Sequence, residues 1–256
     1  MLEIQPIVSI NAQTFSEAYM KVLWNIKEVG VEHKPDYNVS TKRIYLALFV
    51  KDVNSDQLSP ICPLKEESLK LYKDELKEEY AEWYVSLPDD DKRKFDYCYA
   101  KQLYKFGTED MNTLRMNLLS LRVGSRRHAA ALWDNRLHIE KYEDQPCWVF
   151  YKLELLSETD LLVYITYRSW DAFGGLPFNL PAITHGIQDT IKKLNLPYNI
   201  VGFFANGYDT HIYETDQKQA FDGLKNYSPC SKCGEPTLKS QMTFNSKGLC
   251  CKSCLK

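Results

Sequence analysis

The chain has 256 residues, 44% of them hydrophobic, with 32 basic against 34 acidic side chains and a net charge of −2. That is the composition of a globular protein able to bury one large core or a core plus a small appendage, and its charge excludes any overall pull toward nucleic acid or a membrane surface. The first thirty residues show no basic-then-apolar leader pattern, and no apolar run approaches the roughly 20 residues of a membrane span, which predicts a cytoplasmic protein. In that compartment eight cysteines point to metal binding and catalysis rather than to disulfides.

Residues 14–29 place Phe15, Ala18, Tyr19, Val22, Leu23, Ile26 and Val29 on one stripe at helical spacing, with Gly30 just past the end, and predict a core-facing helix. Residues 43–50 are a short apolar, aromatic-rich run that reads as a buried strand. Helical spacing returns over 68–84 through Leu69, Tyr72, Leu76, Tyr80 and Trp83, and a further helix is predicted over 110–122, closed by Gly124. Residues 148–156, 161–167 and 199–205 read as strands, whereas 180–194 repeats Leu180, Ile183, Ile187, Ile191 and Leu194 as a buried helix does. Helices and strands mixed without strict alternation predict an α+β fold. Composition changes near Lys225-Asn226-Tyr227: residues 226–256 hold five of the eight cysteines, five lysines and one glutamate, a net charge of +4, while the remainder carries −6. The expected division is therefore 1–225 and 226–256, with Pro229 at the entry to the second unit.

In that second unit Cys230-Ser231-Lys232-Cys233, then seventeen residues, then Cys251-Lys252-Ser253-Cys254 form a paired knuckle pattern. Each Cys-x-x-Cys turn presents two thiolates to one tetrahedral zinc, and Gly234 suits the tight turn after the first pair. Four thiolates leave no open coordination position, so the metal is expected to be structural and to supply folding energy to a unit too small for its own core. Two disulfides are the competing reading, and a ligand exchange between Cys250 and Cys251 stays open.

The body carries a different chemistry. Cys147, behind Pro146, heads an apolar strand, and Arg168-Ser169 ends the next one; antiparallel pairing of the two would return a guanidinium and a hydroxyl to the thiol. A cysteine is nucleophilic as thiolate, which cationic neighbours favour, and the same guanidinium can clamp a phosphate. In isolation Cys147 reads as a buried structural thiol, and Arg126-Arg127 as solvated surface charge.

The run of motifs resembles the thymidylate synthases and their relatives, the pyrimidine-nucleotide hydroxymethylases. It passes through Tyr99-Ala100-Lys101-Gln102, Ser125-Arg126-Arg127 and the Ala-rich strand ending at Trp133. Pro146-Cys147, Arg168-Ser169-x-Asp171, Gly174-Gly175-x-Pro177-x-Asn179 and Asp209-Thr210-His211-Ile212-Tyr213 follow, in order over roughly 95–215. Trp170 and Gly174-Gly175 look closest to the archaeal-type branch. The resemblance implies a mixed sheet with packed helices, here followed by a zinc ribbon. It implies 5,10-methylenetetrahydrofolate as one-carbon donor and dUMP as acceptor, with Cys147 adding to C6 of the base. It further implies that Asn179 reads the uracil edge, that Arg168 and Ser169 bind the 5′-phosphate, and that Asp171 orients the base through its backbone amide. His211 and Tyr213 would hold the sugar 3′-hydroxyl, and Tyr99 would help to remove the C5 proton. Arg126 and Arg127 would complete the site of the other subunit, which requires a symmetric homodimer.

Several positions depart from the family pattern. Trp148 replaces the usual histidine after the cysteine, Tyr167 replaces a glutamine before the arginine, and Ala100 replaces a glycine. An amino-terminal Arg-Thr-Gly-Thr phosphate loop and an apolar carboxyl tail closing over the folate are not visible. A wetter pocket would favour trapping by hydroxide, so the expected product is dTMP or 5-hydroxymethyl-dUMP. The catalytic glutamate falls among Glu75, Glu78, Glu79 and Glu82, with Glu75 preferred because Leu76 follows it. An inactive nucleotide-binding relative, serving as an interaction module through its ribbon, is the alternative function. For the ribbon itself, docking or oligomer stabilisation is favoured over nucleic-acid contact, since five lysines also serve solubility.

Overall fold

A computed structural model of the protein describes residues 4–36, 39–54, 57–94, 97–107, 111–139, 145–233, 236–245 and 248–254. Its centre is an eight-stranded mixed sheet built from β1 (Ile7–Ala12), β2 (Val31–His33), β3 (Thr41–Val50), β4 (Ala129–Ala131), β5 (Trp148–Leu155), β6 (Asp160–Tyr167), β7 (Trp170–Asp171) and β8 (Asn199–Tyr213). The strand order is β1-β3-β8-β6-β5-β4, with β2 on β3 and β7 on β8. β3/β8, β5/β6 and β4/β5 are antiparallel, β1/β3 and β6/β8 parallel. Together with the helices this is an α+β fold.

Alternation decides which sheet face is buried. Ile44, Leu46, Leu48 and Val50 of β3, Tyr151, Leu153 and Leu155 of β5, and Leu161, Val163, Ile165 and Tyr167 of β6 face the core. Helix α1 (Phe15–Val29) and helix α7 (Leu176–Lys193) lie in the layer over that face. Thr14 caps α1 through its hydroxyl, which accepts from the Glu17 N–H at 3.2 Å. On the opposite face Phe49, Phe204 and Tyr164 stack in a row, with ring centroids 4.4 and 4.8 Å apart, and Phe150 and Tyr208 stand exposed beside them.

The region read as one helix over 68–84 is two: α2 (Glu66–Asp74) and α3 (Glu78–Ser86). Residues 75–77 break it because Leu76 is drawn into the core and its carbonyl accepts from the Tyr104 hydroxyl at 3.2 Å in place of a helical N–H. Tyr104 belongs to the short helix α4 (Tyr99–Tyr104). The helix expected over 110–122 spans α5 (Thr113–Ser120), capped by Asn112, while Asp110 lies outside the described residues. Gly124, at φ +73°, closes the turn beyond it rather than the helix itself. A four-residue helix, α6 (Asn135–His138), follows β4. α7 begins four residues earlier than its apolar spacing indicated, on a first turn containing Pro177, and β8 runs eight residues beyond Ala205. Both extensions carry residues expected at the site, Asn179 in the first and His211 with Tyr213 in the second.

After α8 (Glu214–Gly223) the main core ends at Leu224. Two small hairpins follow: β9 (Tyr227–Pro229) with β10 (Pro236–Leu238), and β11 (Met242–Asn245) with β12 (Gly248–Cys251). Their own buried cluster consists of Cys230, Cys250 and Cys251. Gly234 lies outside the described residues. Among the described residues no helix is long and apolar enough to cross a membrane.

Gly186 lets α7 approach the break between α2 and α3, since a Cβ there would sit 2.7 Å from the Leu76 carbonyl oxygen. Gly186→Ala is expected to lower stability by ~1–3 kcal/mol through overpacking against backbone. A denaturant midpoint equal to that of the parent would contradict this contact.

Candidate active site

Cys147 lies immediately before β5, and Arg168 immediately after β6. The register Trp148↔Tyr167 closes the two together, and the Arg168 N–H donates to the Cys147 carbonyl at 2.9 Å. The guanidinium is fastened to the same turn: Nε donates to the Pro146 carbonyl at 3.0 Å and Nη2 to that of Gln145 at 2.8 Å. Asp144, which precedes Gln145, lies outside the described residues. Burial pushes the Cys147 thiol above its ordinary pKa; the Arg168 guanidinium and a hydrogen bond with Tyr97 pull it back, and Asp171 adds to the rise. Without a ligand, desolvation wins.

Four phenols lie around this thiol: Tyr72, Tyr97, Tyr99 and Tyr167, each close enough to feel its charge. The Tyr99 hydroxyl accepts from the Trp148 N–H at 3.1 Å, and its ring packs on Tyr97 and Trp148. Trp148 itself is wholly buried, and its indole donates to the Phe150 carbonyl at 2.9 Å. Tyr167 stacks on Trp170 with centroids 4.4 Å apart and rings 4° from parallel, and its buried hydroxyl has no hydrogen-bond partner among the described residues. Burial drives the hydroxyls of Tyr99 and Tyr167 far above the usual phenol range, so both are neutral donors.

Asn179 sits in the first turn of α7, its Oδ1 accepting from the Trp170 indole at 2.9 Å and its Nδ2 donating to the Tyr72 hydroxyl at 2.8 Å. Asp171 closes the turn leading into α7: its Oδ1 accepts from the N–H groups of Phe173 at 2.9 Å and Gly174 at 3.1 Å. β7 is aligned with the far end of β8, pairing Trp170 with Thr210 and Asp171 with His211. His211 is 3% exposed, and its Nδ1 faces the Asp209 carboxylate at 3.0 Å. Asp209 in turn accepts from Arg43 at 2.7 Å. Burial opposes the Asp209 charge, but the His211 and Arg43 bonds outweigh it and hold the carboxyl below its ordinary range. A carboxylate at Nδ1 keeps the proton there and leaves Nε2 as an acceptor. That Nε2 is buried with no partner among the described residues, and Tyr213 packs edge-on against the ring at 4.8 Å.

Ser169 is half-buried beside Arg168, while Arg126 and Arg127 are exposed on the segment leading into the edge strand β4. Of the four glutamates, Glu78 accepts from Asn112, Glu79 is paired with Lys193, and Glu82 is exposed. Glu75 is half-buried at the end of α2, its carboxyl raised by burial, close to Tyr72 and Tyr80.

At the other end of the chain the thiol sulfurs of Cys230, Cys233, Cys251 and Cys254 all lie within 4.8 Å of one another. The Cys233 and Cys251 sulfurs are 3.8 Å apart, the separation of about 3.8 Å that two ligands of a tetrahedral zinc have when each bond is about 2.3 Å. The Cys251 N–H donates to the Cys230 sulfur at 3.3 Å and holds that thiol low, at about 5. Cys250 is buried outside this set of four.

The family description "Thymidylate synthase" matches residues 39–245, and the chain belongs to that family. A Methanopyrus kandleri protein named "Putative thymidylate synthase" is 28% identical over 215 residues, covering 83% of this chain and 95% of that protein. "Probable thymidylate synthase" of Escherichia phage T5 is 31% identical over 138 residues, 53% of this chain and 47% of that one. "Thymidylate synthase" of Mesoplasma florum is 28% identical over 127 residues, covering 50% of this chain and 43% of that protein.

Tyr72, Tyr97 and the Arg43–Asp209 pair escaped the reading of the sequence. Tyr72 fell on a helical stripe indistinguishable from core, and Arg43 lies 166 residues from its partner. Only Tyr97 carried a local signal, two residues before Tyr99 in an aromatic run.

Arg168→Gln is expected to raise the Cys147 pKa and slow its alkylation by iodoacetamide at any pH below that pKa, moving the rate profile to higher pH. Peptide-resolved mass spectrometry across a pH series measures this; a profile unchanged by the substitution would separate the guanidinium from the thiol.

Proposed function

We propose that this protein transfers a one-carbon unit to C5 of dUMP through a covalent adduct at Cys147, and that the product is dTMP. The observation that carries the reading is the convergence of a thiol, the guanidinium of Arg168 and the amide of Asn179, joined through Tyr72, which hydrogen-bonds Asn179 and lies beside Cys147. In this reading the 5′-phosphate is held by Arg168 and Ser169, with Arg126 and Arg127 reaching in from a second copy. Phosphate does not consume the hydrogen bonds that fix Arg168, since those go to backbone carbonyls.

With the base seated, Asn179 donates to O4 and accepts from N3–H, the pattern uracil demands. His211 Nε2 accepts from the sugar 3′-hydroxyl, which supplies the donor that this buried nitrogen lacks, and Tyr213 flanks it. Cys147 Sγ would add to C6 and make C5 nucleophilic; C5 would then bond the one-carbon unit and lose its proton with Tyr99 assisting, and the thiolate would leave C6 once hydride had been added. Methylenetetrahydrofolate supplies the one-carbon unit and, for a methyl product, the hydride. Glu75, with Tyr80 and the part-exposed Trp83 next to it on α3, offers a raised carboxyl and aromatic surface suited to a flat pterin ring. The enclosure of Cys147 by phenols and Trp148 favours dTMP over 5-hydroxymethyl-dUMP, because hydroxide trapping needs water at C5.

The protein is proposed to be a homodimer joined through the outer sheet face, where Phe49, Phe150, Phe204 and Tyr208 form an apolar surface. Residues 226–256 are proposed as a separate structural unit folded around one zinc, held by Cys230, Cys233, Cys251 and Cys254.

Incubation with 5-fluoro-dUMP and methylenetetrahydrofolate is expected to give a denaturation-stable adduct on Cys147, and Cys147→Ser to lose it together with activity by a factor on the order of a thousand or more. A parent chain that forms no adduct would instead fit the inactive nucleotide binder; product mass separates methyl from hydroxymethyl by one oxygen. For the metal, elemental analysis is expected to find one zinc per chain, lost in Cys233→Ser. A metal-free, normally folded ribbon would refute the assignment.

A further inference from the structure

Reading uracil rather than cytosine requires an amide presented in one orientation. Uracil offers an acceptor at O4 and a donor at N3–H; cytosine reverses both, with a donor at its exocyclic amine and an acceptor at N3. A free carboxamide satisfies either by rotating half a turn. Asn179 therefore discriminates only to the extent that something prevents this rotation.

We infer that Trp170 is a specificity-determining positioning residue, whose indole N–H locks the Asn179 amide in the orientation that accepts uracil and rejects cytosine. An indole nitrogen is a donor only, so the atom 2.9 Å from Trp170 Nε1 must be the amide oxygen. Nδ2 then faces the Tyr72 hydroxyl at 2.8 Å. Reversing the amide would set its NH2 against the indole N–H, two donors facing each other in a buried place with no acceptor between them. The indole cannot swing aside to relieve this. It is 1% exposed and stacked on Tyr167 at 4.4 Å, and Gly207 lies so near the ring that a Cβ there would come within 3.2 Å of it. The amide oxygen uses one lone pair on the indole N–H. Its second lone pair stays available for N3–H of the base. Trp170 thus acts through Asn179 and does not itself touch the nucleotide.

This inference rests on the assignment of dUMP as substrate, and one titration separates the two. Dissociation constants of dUMP and dCMP are measured on the full-length parent, on Trp170→Phe, and on a chain carrying β-(3-benzothienyl)alanine at 170, which exchanges the N–H for sulfur and keeps the bicyclic ring. The parent is expected to prefer dUMP, and both substitutions to narrow the dUMP/dCMP ratio by about fivefold or more, the equilibrium equivalent of one buried donor clash. The sulfur isostere preserves the stack on Tyr167, so a purely structural role for the ring predicts no change there. A smaller narrowing in the isostere overturns the lock while leaving dUMP binding intact. A parent that binds neither nucleotide overturns the substrate assignment and the lock together.

Discussion

The pairing of β5 with β6 is the constraint on which the site depends. Cys147 and Arg168 are 21 positions apart, yet each flanks one end of the same antiparallel ladder, and the backbone bond between them leaves neither free to move independently. The guanidinium then binds back to the carbonyls just before the cysteine, so a positive charge is built into the turn that carries Cys147. A lysine lacks the planar, fixed array of donors with which arginine holds two carbonyls at once.

Around that turn two opposing effects set the state of the thiol. Removing a group from water can raise an acid's pKa by several units, about 3–5 when burial is complete, whereas one opposite charge nearby lowers it by about 1–3. The balance in Cys147 lies on the side of burial, which holds the thiol above its ordinary pKa in the ligand-free protein. The phenols that cause this burial are themselves neutral and supply hydrogen bonds without charge, and one of them, Tyr97, already donates to the sulfur. An aromatic enclosure therefore shields Cys147 from water and keeps neutral donors beside it.

The carboxyl-terminal hairpins obey a different economy of size. Their buried cluster is made of Cys230, Cys250 and Cys251, with Met242 and Cys254 against it, and no large aliphatic side chain belongs to it. Apolar burial on that scale cannot offset the entropy of ordering some twenty residues. Four sulfurs converge there, whereas the residues before Leu224 share a continuous core of sheet and helices.

Local pattern was enough to read the class of fold, the strands β3, β5 and β6, helix α1, the pairing of cysteines in the ribbon, and the order of motifs along the chain, because alternation, helical spacing and ligand spacing are short-range properties. The same local pattern merged two helices over 68–84, and its helix at 180–194 and strand at 199–205, right in kind, stopped short of the full elements. Leu76 leaves its helix for a carbonyl bond to Tyr104, the first turn of α7 carries Pro177 and the polar Asn179, and β8 continues past Ala205 because β3 and β7 offer it partners. What only the tertiary structure decided is which side chains meet: Tyr72 with Asn179, Arg43 with Asp209 and His211, Trp170 with the amide oxygen. Such contacts join strands and helices distant in sequence, and no periodicity encodes them, since they follow from strand order and register rather than from the neighbours of any one residue.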